Sequence, residues 1–161
     1  MDYIIEKFSS LLNERLLYND IRTTEDTIRY TFFASLILTE HIKPHEIILE
    51  YPHPGIINKE VDAYIPSVKE KQGIIVEIKY DSNTLALTNS SRTMKAGKIV
   101  NDLFRLAHFN IDPHAKKWMI YVTDEEMNGY FSNIKNGLND FYSLSLRERL
   151  KIDKATYLAK L

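Results

Sequence analysis

Two stretches in the middle of the chain alternate strictly between apolar and polar positions. In the first, Val61, Ala63 and Ile65 alternate with Glu60, Asp62 and Tyr64; in the second, Ile74, Val76, Ile78 and Tyr80 alternate with Ile75, Glu77 and Lys79. A strand repeats every two residues, so the pattern predicts two strands, with Glu77 and Lys79 on one face and the apolar set on the other. The linker PSVKEKQGI between them carries a proline, a glycine and several charged or amide side chains, which suits a hairpin turn. Pairing of the two strands would set Asp62 beside Glu77 and Lys79.

Elsewhere the apolar period is helical. Ile4, Ile5, Phe8, Leu11, Leu12, Leu16 and Leu17 predict an amphipathic helix over residues 2 to 17. A second helix runs through Ile28, Phe32, Phe33, Leu36 and Ile37 to about Thr39, with Thr23 or Thr24 as N-cap and Glu25 and Asp26 in its first turn. Glu46–Tyr51 reads as a strand, and Pro52–Gly55 as a turn into the Asp62 strand. Glu50 lies near Asp62 if those two strands pair. After Lys79 the polar run DSNTLALTNSSRT predicts a mobile loop. The helix MKAGKIVNDLFRLAHF follows, with Met94, Ile99, Leu103, Leu106 and Ala107 as its apolar stripe and Lys95, Lys98, Asp102 and Arg105 on the other side. Lys117–Val122 is a strand, in which Trp118 and Tyr121 read as core. Thr123–Glu126 opens a helix, and residues 127 to 142 allow a helix interrupted at Gly137. The last twenty residues fit strand, helix or a docking arm equally. His41 and His45 stand four apart, but Pro44 breaks any shared helix and no third ligand follows at zinc spacing.

This order of elements predicts an α/β fold, a mixed central sheet flanked by helices. The length of 161 residues suits a single domain, 1–161. With 44% hydrophobic and 27% charged residues the composition is that of a soluble globular protein. No apolar run is long enough to span a bilayer, and the start MDYIIEKFSS lacks a basic segment followed by an apolar core, so no membrane is expected. The absence of cysteine excludes disulfides and thiolate metal sites, and fits a cytoplasmic location.

Asp62, Glu77 and Lys79 form the candidate chemistry. Two converging carboxylates stay ionised beside each other only if a cation neutralises them. Mg²⁺ suits such a pair, since it takes oxygen ligands and accepts a substrate phosphate. An adjacent ammonium can orient the attacking water and stabilise charge on phosphorus oxygens. The alternative is a solvent-facing cross-strand salt bridge of little energetic weight. Glu77-Ile78-Lys79 is the only Glu-x-Lys in the chain, at the end of a β-branched run.

Asp62, followed after fourteen intervening residues by Glu77-Ile78-Lys79, resembles the site of the PD-(D/E)XK nuclease superfamily, the restriction-endonuclease-like proteins. Val61 stands where the superfamily's name has proline. The resemblance covers about residues 25–122 and implies a restriction-endonuclease-like core there, with the N-terminal helix and a C-terminal extension packed on it. It implies a Mg²⁺-dependent endonuclease acting on DNA, duplex or branched, in which Mn²⁺ can substitute. Asp62, Glu77 and the backbone carbonyl of Ile78 would hold the metal while Lys79 serves the water. Glu25 matches the place of a helical glutamate that approaches the metal in that superfamily; it equally fits a first-turn carboxylate paired with Arg29. Lys98, and after it Lys95, match a basic residue near the phosphate; both equally fit a solvated helix face.

The net charge of −1 does not by itself favour a nucleic-acid partner. Between Arg92 and Lys117, however, six Lys or Arg stand against two Asp, and this local excess can neutralise phosphates. Arg92, Lys95, Lys98 and Arg105 are the expected nucleic-acid contacts. Cutting both strands of a duplex implies a homodimer or a larger assembly. The alternative functions are an inactive nuclease-fold module that binds nucleic acid or protein, and a purely structural subunit.

Overall fold

Apolar stripes on the first two helices pack them together and onto the sheet. The computed structural model describes residues 2–18, 22–40, 42–69, 71–81, 91–138 and 155–160. Helix α1 (Asp2–Leu16) turns Ile4, Ile5, Phe8 and Leu12 toward Ile28, Phe32 and Leu36 of α2 (Glu25–Glu40). The Phe32 ring bridges the layers, 5.7 Å from Phe8 and 5.9 Å from Trp118 between centroids. Thr24 caps α2, its Oγ1 accepting the Thr27 N–H at 3.2 Å.

The sheet contains β1 (Ile48–Pro52), β2 (Glu60–Ile65), β3 (Ile74–Tyr80), β4 (Lys116–Thr123) and β5 (Ala155–Lys160), in that spatial order. All neighbours are antiparallel except β3 and β4, which are parallel and joined over the opposite face by α3 (Arg92–Ala107). A parallel pair needs such a crossover. Helix α4 (Glu125–Ser132) follows β4 and is capped by Asp124, which accepts the Met127 N–H at 3.0 Å. Ile74, Val76, Ile78, Trp118, Ile120 and Val122 form the core under α1 and α2. Ile75, Met119 and Tyr121 face Ala96, Ile99, Leu106 and Phe131 on the other side. The mixed α/β architecture and the core placement of Trp118 and Tyr121 agree with expectation. Among the described residues no helix is long and apolar enough to cross a membrane.

Several local expectations need correction. Glu46 is not in a strand: it ends a 3-10 turn (Pro44–Glu46), its Oε2 accepting the Lys43 N–H at 2.6 Å. That side-chain bond competes with extended pairing and delays β1 to Ile48. The helix after Asp124 stops at Ser132, where Asn133 caps a new 3-10 turn closed by Gly137 at φ 69°. On α3 the buried residues are Lys95, Ala96, Ile99, Asp102 and Leu106, while Met94 is exposed. The helix is therefore rotated relative to the stripe expected from Met94. The run expected to be a mobile loop lies, from 82 to 90, outside the described residues, as do 139–154.

Strand β2 departs from regular alternation at the residue that matters most. Val61 packs on the α3 side, yet Ala63 packs under α2. A regular strand puts residues i and i+2 on one face, so β2 rolls over at Asp62. The partner strand is distorted at the same level. Leu49 faces Ala63 and Tyr51 faces Val61, which sets Glu50 opposite Asp62, and Glu50 has φ 49°. A non-glycine residue in the left-handed region is strained, and such strain concentrates at functional sites.

The β2–β3 turn is clamped at Gly73. Its N–H donates to Ser67 Oγ at 2.8 Å and its carbonyl accepts the Lys116 N–H at 2.9 Å. A Cβ here would sit 2.6 Å from both the Ile65 carbonyl oxygen and the Ser67 nitrogen, where only backbone could move aside. Gly73→Ala is expected to lower the unfolding free energy by about 1–3 kcal/mol in urea titrations. A loss near zero would show that the hairpin has room to relax.

Candidate active site

Strands β2 and β3 pair from Ile65–Ile74 to Ala63–Val76 and then part. Beyond that point the β2-facing amides of β3 are taken by carboxylates instead of by a strand. Asp62 Oδ2 accepts the Ile78 N–H at 2.6 Å, and Glu25 Oε2, from the first turn of α2, accepts the Tyr80 N–H at 3.2 Å. The fork is thus lined by two acids brought from different elements. Buried amides need acceptors, which explains why the parted strands remain ordered.

Glu77 and Lys79 lie on β3 between these amides. Lys79 Nζ stands 3.5 Å from Glu77 Oε1 and 3.4 Å from Glu25 Oε1. The three residues expected to cluster do so, and Glu25 joins them. Its distance to Arg29 is 3.9 Å, so the site, rather than the helical pair, provides its nearer partners. Glu50 is exposed, although β1 pairs next to β2 as supposed.

Two arginines complete the cluster. Arg29 from α2 approaches Asp62 Oδ1 at 2.7 Å and Asp26 Oδ1 at 3.1 Å. Arg105 from α3 approaches both Glu77 Oε1 and Asp102 Oδ1 at 2.7 Å. Arg105, expected on the nucleic-acid-facing side of α3, instead turns inward, because the helix phase sets Asp102 on the buried face and carries Arg105 with it. Lys95 is buried on that same face, whereas Lys98 is exposed. Arg92 is exposed and ion-paired with Glu126. Asp102 was legible as a polar residue three after Ile99 and four before Leu106; its placement follows from that spacing. His53 is a further residue not anticipated. Its Nδ1 accepts the Gly55 N–H at 3.0 Å, so Nε2 carries the proton and donates to the Arg105 carbonyl at 3.0 Å.

No known protein family, curated protein sequence or solved structure matches this chain.

Among the described residues, the ion pairs of this cluster join five carboxylates (Glu25, Asp26, Asp62, Glu77 and Asp102) to three cations (Arg29, Lys79 and Arg105). The Glu77 side chain is only 4% exposed. Burial, reinforced by the neighbouring Asp62 charge, pushes its pKa from 4.5 up to about 7, although Lys79 and Arg105 pull the other way. Burial likewise raises Asp102. For Lys79, burial works against the ammonium, but Glu25, Glu77 and Asp62 outweigh it and hold the pKa above its ordinary value. Lys79 is therefore a proton-bearing donor at neutral pH. The donor set is all oxygen with excess negative charge, which suits a hard divalent cation. Among the described residues, however, no three carboxylate or imidazole groups form a preformed metal cage. The arginines hold Asp62 and Glu77 instead, so the residues fit such an ion only when the guanidiniums yield.

The raised Glu77 pKa makes stability depend on pH. The folded chain binds more protons than the unfolded chain between pH 4.5 and about 7. The protonated carboxyl thus contributes stability below that window, which is lost as pH rises through it. Its size is on the order of 3 kcal/mol. Urea unfolding of Glu77→Gln is expected to decline less between about pH 5 and 7.5 than that of the wild type. Equal declines would show that Glu77 is ionised throughout.

Proposed function

We propose that this chain is a divalent-metal-dependent endonuclease with a restriction-endonuclease-like core, hydrolysing phosphodiester bonds of DNA. The observation that carries this reading is the fork, where Asp62 caps the Ile78 amide beside Glu77 and Lys79. A pair of acids and an ammonium on an opened strand edge is poorly explained as a stabilising surface ion pair, since such pairs contribute little.

Asp62 and Glu77 would hold Mg²⁺, or Mn²⁺ in its place, with Glu25 as a further ligand. The Ile78 carbonyl also turns toward the fork, since a strand residue directs its N–H and C=O to the same side. When bound, the ion polarises a phosphoryl oxygen and makes water a stronger nucleophile. Lys79, kept protonated by its acidic surroundings, donates hydrogen bonds: it orients the attacking water and stabilises charge on the phosphorus oxygens. Glu25 holds the Lys79 ammonium in place from the opposite layer. Exposed Lys98 and Arg92 on α3 would meet the DNA backbone, supplying a salt-dependent contribution to affinity. Two copies of the site would let both strands be cut in one encounter, so a homodimer or larger assembly belongs to this proposal.

A second reading is a module of the same fold that binds nucleic acid or protein without turnover. What favours it is that Arg29 and Arg105 already neutralise the two principal acids. Plasmid and single-stranded DNA incubated with Mg²⁺ separate the two readings. Wild type is expected to cleave, Lys79→Ala to be slower by about 10²–10³-fold, and Glu77→Ala to be inactive. Cleavage undiminished in Glu77→Ala sinks the nuclease reading, and DNA binding without any cleavage supports the second.

A further inference from the structure

Asp62 and Glu77, the two principal acids proposed to hold the metal, each already have a guanidinium against them, at 2.7 Å in both cases. Each of these arginines also has a second carboxylate three residues earlier on its own helix: Asp26 for Arg29 and Asp102 for Arg105. A guanidinium that gives up Asp62 or Glu77 is therefore not stranded. Among the described residues, the buried Nε of both Arg29 and Arg105 lacks a hydrogen-bond partner. An unmet guanidinium donor inside a protein is costly, and the two arginines reach one fork from opposite layers.

We propose that Arg29 and Arg105 occupy the divalent cation's place on Asp62 and Glu77, and that cation binding transfers them to phosphate groups of the nucleic acid. The inference rests on the nuclease reading and adds two phosphate-binding residues to it. Two monocations leave and one dication arrives, so the charge facing the acids is conserved in the exchange. The planar guanidinium fork matches a phosphate as well as it matches a carboxylate. Without nucleic acid the arginines compete with the ion and keep its affinity low. With nucleic acid present the competitors are engaged elsewhere, and each ligand strengthens the other by the same factor.

Calorimetric titration of the full chain with Mn²⁺ alone tests the competition. Arg105→Gln and Arg29→Gln are each expected to bind Mn²⁺ at least about tenfold more tightly than wild type, because a nearby unit charge at low effective dielectric has been removed. Arg105→Lys, which keeps the charge, should remain close to wild type. With Ca²⁺ as the ion, a short DNA duplex should raise the ion affinity of wild type, and Arg105→Gln should lose most of that gain. If Arg105→Gln does not fold, Arg29→Gln and the wild-type duplex experiment carry the same comparison. Wild-type Mn²⁺ binding that depends on Glu77 but is not tightened in the glutamine variants overturns the exchange alone, since the arginines would then brace the acids. Absence of Glu77-dependent Mn²⁺ binding in every variant overturns both the exchange and the nuclease reading.

Discussion

The hydrogen bond from the Ile78 amide to the Asp62 carboxylate is the constraint on which the rest of the site depends. It takes the position that a continued β2–β3 ladder would occupy. For Asp62 to reach it, β2 must roll over between Val61 and Ala63, and β1 must follow with Glu50 in the left-handed region. The strain of that distortion is offset by satisfying a buried amide with a charged acceptor, a stronger bond than a neutral one. Once the ladder is open, the next β2-facing amide, that of Tyr80, also needs an acceptor, and the first turn of α2 provides Glu25.

Electrostatics then follows from topology. The fork gathers acids from α2, β2, β3 and α3 into a poorly solvated space, where each raises the cost of ionising the next. Glu77 bears most of that cost, with a pKa near 7. The same crowding keeps Lys79 protonated, which bears on its chemical role: it acts as a donor and a fixed positive charge. A lysine in apolar surroundings would instead lose its proton and serve as a base.

Period-two alternation was enough to predict that Glu77 and Lys79 share a face and that Asp62 lies across from them. The turn residues of the PSVKEKQGI linker, and the capping threonine of α2, were equally legible, because both are local chemistry. The rollover at Asp62 was not, since it arises from competition between ladder and side-chain hydrogen bonding that no residue pattern announces. The inward turn of Arg105 was missed for a related reason. Charged residues on a helix ordinarily face water, but here the helix phase buries Asp102, and Arg105 turns inward to pair with it and with Glu77 on β3. Glu46 fooled the strand assignment because its side chain satisfies the Lys43 amide locally. The second carboxylates beside Arg29 and Arg105 were visible as charge spacing, but their use required coordinates.

His53 gives the outer ribbon a second anchor. The β1–β2 ribbon joins β3 through the short seam at Ala63–Ile65, and its far turn hooks onto the main chain of α3 at Arg105 through the imidazole. Asp62 is suspended between those two fastenings. The same residue of α3 grips Glu77 with its side chain. A displacement of this helix would therefore tug on both walls of the fork at once, one through a guanidinium and the other through a ring and a strand. One residue of the helix thus fastens both walls of the fork.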